Sequence, residues 1–173
     1  AMANTMRDIY GTDVLIAAAN SFTGSVRQAE YTKKEAAAMV MPNGLRSYRC
    51  EMTGAELKET VKDFVEGYEG GLPVFNRGSL PVVSGIAIEV QENGGSYTLT
   101  GVTRNGQPVQ DDDTFTVSCL STPKYMEPLL ADGSSAFEED DMTVRNAWLD
   151  YVSAGSALLA EPESYIVLRD ENG

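Results

Sequence analysis

Histidine is absent from all 173 residues. Its absence removes the commonest general base and the commonest metal ligand together, because imidazole alone titrates near neutral pH without help from its surroundings. Cysteine is scarce, with only Cys50 and Cys119. Both fall on strand faces expected to be buried, where two reduced core thiols are the plain reading. Positive charge is short as well: 13 Lys and Arg stand against 26 Asp and Glu, a net charge of −13. That balance repels nucleic acid and anionic membrane surfaces. A phosphate ligand must then be held by locally gathered Arg, Lys or backbone N–H groups. No apolar run approaches the ~18 residues of a membrane span.

What the chain does carry is a succession of well-marked elements. A short helix is expected up to about Ile9, followed by Gly11 and an apolar strand from Asp13 to Ala18. Because the chain opens as though already inside that helix, it is expected to be a piece of a longer protein. Residues 20–29 read as a loop of small polar residues. Thr32-Lys33-Lys34-Glu35 has the form of a capping box, in which the Thr hydroxyl accepts from the third amide while the Glu reaches back. The helix it opens should run to Val40 and stop at Pro42-Asn43-Gly44. Tyr48, Cys50 and Met52 alternate with Ser47, Arg49 and Glu51, which predicts a strand with one buried face. Thr53 to Glu56 is a second capping box, and Leu57, Val61, Phe64, Val65 and Tyr68 form one apolar stripe on its helix.

From residue 80 onward the pattern turns to β structure. Ile86, Ile88 and Val90 alternate, and Asn93-Gly94 supplies a hairpin turn into Tyr97 and Leu99. Asn105-Gly106 marks another turn, and Phe115, Val117 and Cys119 alternate on a further strand. Thr143 to Ala154 reads as a last amphipathic helix, and Tyr165 to Leu168 as a closing strand. Helices and hairpins mix without strict alternation. The prediction is a single domain over residues 1–173 with an α+β fold, a mixed β-sheet with packed helices. With 42% hydrophobic residues, a chain of this length buries about 70% of its extended surface and needs no disulfide or metal staple.

Catalytic constellations do not emerge. Without histidine there is no Ser-His or Cys-His pair. Asp111-Asp112-Asp113 and Glu138 to Asp141 are acidic runs without the alternating spacing of a calcium loop, and they read as solvated acidic turns, the second preceding a helix. Gly70-Gly71 and Gly94-Gly95 are helix-end and hairpin punctuation. No catalytic residue and no metal ligand is expected in this chain. Arg46, Arg49, Arg77 and Arg104 are scattered; Arg46 is the one to watch, since it follows Pro42-Asn43-Gly44, with an exposed surface charge as the plain reading.

Four motifs, taken in order, carry a resemblance. They are Thr53-Gly54-Ala55-Glu56-Leu57-Lys58, Ser84-Gly85-Ile86, Asn105-Gly106-Gln107-Pro108-Val109, and Asp113-Thr114-Phe115-Thr116-Val117. Their order and separation resemble the C-terminal domain of the 5′-nucleotidase and UDP-sugar hydrolase family. The ligand-binding signatures of that family are less well kept. Its Asn-x-Gly-Gly-Ile-Arg loop corresponds to Asn20 through Arg27, longer by two residues and short of one glycine, with Asn20 and Arg27 carried over. An arginine there pairs with phosphate or hydroxyl oxygens through its planar fork. The plain alternative is an Asx turn at Asn20 and a surface charge at Arg27. The family's Pro-Phe-Gly-Asn corresponds to Pro42-Asn43-Gly44-Leu45, so Asn43 stands where the base-stacking ring belongs. The Gly-Gly-Asp-Gly signature is replaced by Leu120 to Tyr125, where Tyr125, or Phe137 further on, offers a substitute ring or a core contact.

The resemblance implies a substrate-recognition domain that holds a nucleotide or nucleotide-sugar through Asn20, Arg27, Asn43, Arg46 and Tyr125. A separate upstream metallophosphoesterase domain of the same chain, carrying a divalent metal pair, would hydrolyse the phosphate ester. The chain itself needs no cofactor under that reading and is expected to be inactive alone. Extracytoplasmic location, secreted or at the cell surface, follows from the resemblance only. Two other readings stay open: a non-binding structural or dimerisation module, and a recognition domain retuned for another phosphorylated or sugar-like ligand.

Overall fold

Both faces of the first strand are apolar, and both are covered. The computed structural model describes residues 2–18, 21–22, 32–41, 44–66, 80–121, 138–155 and 166–169. In chain order the elements are α1 (Met2–Tyr10), β1 (Val14–Ala17), α2 (Lys33–Ala38), β2 (Arg46–Thr53) and α3 (Gly54–Glu66), then β3 (Val82–Ser84), β4 (Ala87–Asn93), β5 (Ser96–Arg104) and β6 (Gln107–Pro108). They are followed by β7 (Thr114–Ser121), β8 (Glu138–Thr143), α4 (Val144–Ser153) and β9 (Ile166–Arg169). A five-stranded sheet has the order β3-β1-β7-β2-β8, and a four-stranded sheet the order β6-β5-β4-β9. β1 runs parallel to β7, whereas β3, β2 and β8 join antiparallel, so the larger sheet is mixed as expected.

Alternation along the strands divides the apolar residues between two cores. Val14 and Ile16 of β1, Tyr48, Cys50 and Met52 of β2, and Phe115, Val117 and Cys119 of β7 meet Leu57, Val61, Phe64 and Val65 of α3. Ile88, Val90 and Val102 of the smaller sheet close that core. On the opposite face Leu15, Ala17 and Leu120 pack with Met2 and Met6 of α1, Val40, Leu45, and Val144 and Trp148 of α4. A central strand buried on both sides is therefore an unbroken apolar run, as Val14-Leu15-Ile16-Ala17 is. Cys50 and Cys119 are free and buried, as their strand positions predict. Burial, with the Glu56 charge adding, pushes the Cys50 thiol up to about 12, and burial raises Cys119 well above its ordinary value. Both are inert at neutral pH.

The framework motifs of the sequence turn out to be joints between elements. Thr53 and Glu56 form the predicted capping box: the Thr53 N–H donates 2.7 Å to Glu56 Oε2, and the Glu56 N–H donates 3.2 Å to Thr53 Oγ1. The first amides of α3 then dock on the acidic turn, Gly54 N–H donating 2.8 Å to the Asp113 carbonyl and Ala55 N–H 3.1 Å to that of Asp111. Approach is so close that a Cβ on Gly54 would lie 1.8 Å from the Gln110 carbonyl oxygen. Lys58 completes the joint by donating 3.2 Å to the Val109 carbonyl and pairing with the Asp111 carboxylate. Asn105 and Gly106 turn β5 into β6 with positive φ at both residues, 51° and 75°, which delivers Val109 into the core.

Asp13 is the second joint. Thr116 donates to its Oδ2 from the backbone N–H at 2.9 Å and from the hydroxyl at 2.8 Å, and Arg104 of β5 donates to Oδ1 at 3.0 Å. Asp13 N–H returns a 2.9 Å bond to the Thr116 carbonyl. Gly85, at φ +85°, crosses so near that a Cβ there would sit 2.0 Å from the Asp13 carbonyl oxygen. Beside it the buried Ser84 hydroxyl donates 2.7 Å to Asn4 Oδ1, tying β3 to α1.

Two expectations need correction. Glu138 to Asp141 is not a solvated turn: it belongs to edge strand β8, antiparallel to β2. The edge leaves its carboxylates in solvent, and charge on an edge strand discourages pairing with other chains. The hairpin expected at Asn93-Gly94 turns one residue later, since Asn93 pairs with Ser96 and Gly94-Gly95 form the tip. Tyr68 of the expected α3 stripe lies outside the described residues.

Two outcomes follow. The Thr116 backbone N–H holds the Asp13 carboxyl below its ordinary range against the upward pull of burial, with the Thr116 hydroxyl and Arg104 assisting. Its contribution to stability is fully present above the unfolded carboxylate value of about 3.9 and disappears as pH falls through the lower native value. Urea midpoints measured from about pH 6 down to about pH 2.5 should therefore fall more steeply for wild type than for Asp13→Asn. Gly54→Ala should cost about 1–3 kcal/mol of unfolding free energy, because the added methyl must displace the Gln110 backbone.

Candidate functional site

Parallel pairing of β1 with β7 puts the carboxyl ends of both strands on one edge of the larger sheet, with Ala17 beside Leu120. The antiparallel neighbours bring their opposite ends there: Arg46 of β2 lies against Ser121, and Val82 of β3 against Ala17. Thr143, the last residue of β8, faces Arg46. This edge is where the described chain leads into residues 19–31, 42–43 and 122–137. The opposite edge is occupied by the Asp13 and Gly54 joints. The sheet thus has one end closed by hydrogen bonds and one end given over to connections.

Of the five residues singled out in the sequence, Arg46 alone is described. Its position on β2 is fixed by a bulge: Arg46 pairs with Thr143 and Tyr48 with Glu139, so one residue of β2 opposes three of β8. The guanidinium lies over the bulge and caps its free carbonyls, Nη1 donating 3.1 Å to Asp140 O and 2.7 Å to Asp141 O. Nε stands 3.6 Å from Glu139 Oε1. About a third of the side chain remains exposed, at 30%. Asn20, Arg27, Asn43 and Tyr125 lie outside the described residues, as does Phe137. Their described flanks do converge, with Ala18 and Ser21 on either side of Asn20, Met41 and Gly44 on either side of Asn43, and Ser121 four residues before Tyr125.

Backbone hydrogen bonds lace these flanks together. Ser21 N–H donates 2.9 Å to Ala18 O, Met41 N–H donates 3.0 Å to Ser21 O, and Phe22 and Val40 form an antiparallel bridge. The capping box at Thr32 is formed as predicted, with Glu35 N–H donating 3.3 Å to Thr32 Oγ1 and Thr32 N–H donating 2.8 Å to Glu35 Oε2. It opens α2, whose far end leads to the same edge. Helix α4 starts here as well, capped by Thr143, whose hydroxyl accepts from Asn146 N–H at 3.3 Å.

Arg145, in the first turn of α4, is a residue that the sequence pattern did not single out. Its guanidinium reaches back to the Val40 carbonyl at 2.8 Å. A cation at a helix N-terminus opposes the dipole, and that mismatch is the signal by which the sequence could have flagged it. The described part of this edge carries the half-buried Arg46, with its guanidinium on the Asp140 and Asp141 carbonyls, and an exposed thioether at Met41. Among the described residues no three Asp, Glu or Cys side chains gather as a metal site, and no helix is long and apolar enough to cross a membrane.

Comparison with known proteins gives a consistent answer. Residues 1–124 match the family model described as 5′-nucleotidase, C-terminal domain. No curated protein sequence matches the chain. Among solved structures, the fold is similar to Haemophilus influenzae NAD nucleotidase (NadN), with a TM-score of 0.66 at 15% identity over 97% of this chain and 33% of that one. It is similar to a 5′-nucleotidase precursor from Thermus thermophilus, with a TM-score of 0.65 at 14% identity over 96% of this chain and 35% of the other. The sulfate thiohydrolase SoxB of Thermus thermophilus, in complex with glycerol, also matches at a TM-score of 0.59 and 16% identity, over 94% of this chain and 30% of that one. At these identities the likeness is one of fold. This chain spans about a third of the length of each.

Proposed function

Because residues 1–124 match its model, the chain belongs to the 5′-nucleotidase C-terminal domain family, and from that membership we propose that it is a substrate-recognition domain. Its ligand is a nucleotide or nucleotide-sugar, held while a separate N-terminal metallophosphoesterase domain hydrolyses the phosphate ester. The observation that carries this reading is topological. The three segments in which the family resemblance places ligand contacts are all flanked by residues on one edge of the five-stranded sheet. A mixed sheet with loops gathered beyond the carboxyl ends of its parallel strands is a common place for ligands.

Within that reading Arg27 pairs with phosphate or sugar oxygens, Asn20 hydrogen-bonds the ligand, and Tyr125 offers a ring. Asn43 replaces stacking with an amide, and Arg46, already turned toward the β8 carbonyls, lines the rim. The divalent metal pair belongs to the upstream domain, and this domain takes no cofactor of its own. Extracytoplasmic location is part of the same proposal; one similar structure is described as a precursor. A second reading, a recognition site retuned for another phosphorylated or sugar-like ligand, is favoured by Asn43 in place of an aromatic residue. The presence of the same fold in a sulfate thiohydrolase points the same way.

Calorimetric titration of the 173-residue chain with AMP, UMP, adenosine and UDP-glucose separates these readings. Binding of at least one nucleotide or nucleotide-sugar, abolished by Arg27→Ala, is the expected result. Silence across the panel would leave the retuned site, or a structural or dimerisation module, instead. No phosphate should be released from AMP or UMP by this chain with added divalent metal, and metal-dependent release would overturn the assignment of chemistry to another domain.

A further inference from the structure

Two large apolar side chains are left exposed among the described residues, and both are methionines: Met41 at 43% and Met142 at 42%. Met2, Met6 and Met52 are buried. An exposed thioether presents sulfur lone pairs to solvent and to any oxidant dissolved in it.

The two exposed sulfurs have different surroundings. Arg145 Nη2 lies 3.3 Å from the Met41 sulfur and donates 2.8 Å to the Val40 carbonyl beside it. Backbone bonds hold the pair together: Met41 N–H donates 3.0 Å to Ser21 O, and Val144 N–H, one residue before Arg145, donates 3.0 Å to Leu45 O. The Arg145 Nε is buried with no hydrogen-bond partner among the described residues, so the guanidinium keeps a donor unspent. Met142, by contrast, follows two aspartates, and its N–H donates 3.3 Å to Asp140 Oδ1. Among the described residues no donor reaches its sulfur.

Arg145 also stands in the first turn of α4, where the helix dipole disfavours a cation. A thioether is a weak acceptor and returns little for that placement. A sulfoxide oxygen is a full acceptor, and its hydrogen bond to a guanidinium is charge-assisted.

We propose that Met41 is a site of reversible oxidation, at which hydrogen peroxide converts the thioether to a sulfoxide that Arg145 then holds. A sulfur lone pair attacks one peroxide oxygen, and the S–O bond forms as the O–O bond breaks. The second oxygen leaves as hydroxide and takes the proton from the transferred oxygen, giving water. Sulfur loses two electrons and the peroxide gains them. The new oxygen adds a bond between α4 and the segment that Met41 N–H ties to Ser21, so the oxidised domain is tighter at this corner. At Met142 the same change adds no such bond. Methionine sulfoxide reductase reverses both.

The test treats the 173-residue chain with hydrogen peroxide and maps the added oxygen by peptide mass spectrometry. Met41 and Met142 should be oxidised on the order of tenfold faster than Met2, Met6 and Met52 in the folded protein. Oxidation of Met41 no faster than that of Met52 would overturn the proposal. Met126 lies outside the described residues, so the second measurement uses a chain carrying Met126→Leu and Met142→Leu. Oxidation of that chain should raise Tm by about 2–4 °C, the scale of one added hydrogen bond at this length, and the reductase should return it. Adding Arg145→Ala should remove the rise. A fall in Tm on oxidation, or the same rise without the guanidinium, would contradict the proposal. Should the alanine variant not fold, the Arg145 guanidinium N–H resonances of the parent make the same comparison. They should move downfield on oxidation, and unmoved resonances would overturn the proposal.

Discussion

The carboxylate of Asp13 accepts from the Thr116 backbone and hydroxyl on one side and from Arg104 on the other, and the rest of the architecture is arranged around that junction. It stands at the entrance to β1, where the chain must begin a parallel pairing with a strand 103 residues away. Parallel strands have no hairpin to set their register, so a side chain that reads the partner's backbone supplies it. Arg104 brings the smaller sheet to the same point and lies 5.2 Å from the centre of the Phe115 ring. Gly85 leaves room for the β3 connection to pass over the Asp13 carbonyl. Three strands and a second sheet are thereby fixed by one acidic side chain of intermediate exposure.

The framework joints gather at one end of the sheet and the connections at the other. The Thr53 capping box, the Gly54 contact with Gln110 and the Asp111 turn all lie at the Asp13 end, together with the framework motifs of the sequence. At the opposite end β1 and β7 finish at Ala17 and Ser121, and β2 begins at Arg46. Such a division permits the loops to change composition without disturbing the core.

Much of this was legible in the sequence because the signals are local. Thr32 to Glu35 and Thr53 to Glu56 are complete within four residues, and the alternation of Tyr48, Cys50 and Met52 needs only the strand period. The apolar run of β1 announced a strand, though not that two cores would share it. What sequence could not show depended on contacts made at a distance. β8 is acidic and has poor strand propensity, and it pairs only because β2 offers an open edge and Arg46 caps its bulge. Nothing in the sequence pattern singles out Arg145, whose bond to the Val40 carbonyl depends on α4 lying beside that residue. The motif Ser84-Gly85-Ile86 gave no hint that its glycine makes way for Asp13.

Under the proposed function, one edge of the five-stranded sheet meets the ligand and the other holds the fold. Amide NMR of the 173-residue chain titrated with UMP tests it most directly. The account predicts shifts concentrated at Ala18, Ser21, Met41, Gly44, Arg46 and Ser121, with Asp13, Thr53, Gly54 and Thr116 unmoved. Shifts centred on the Asp13 and Gly54 end, or none anywhere at saturating nucleotide, would contradict it.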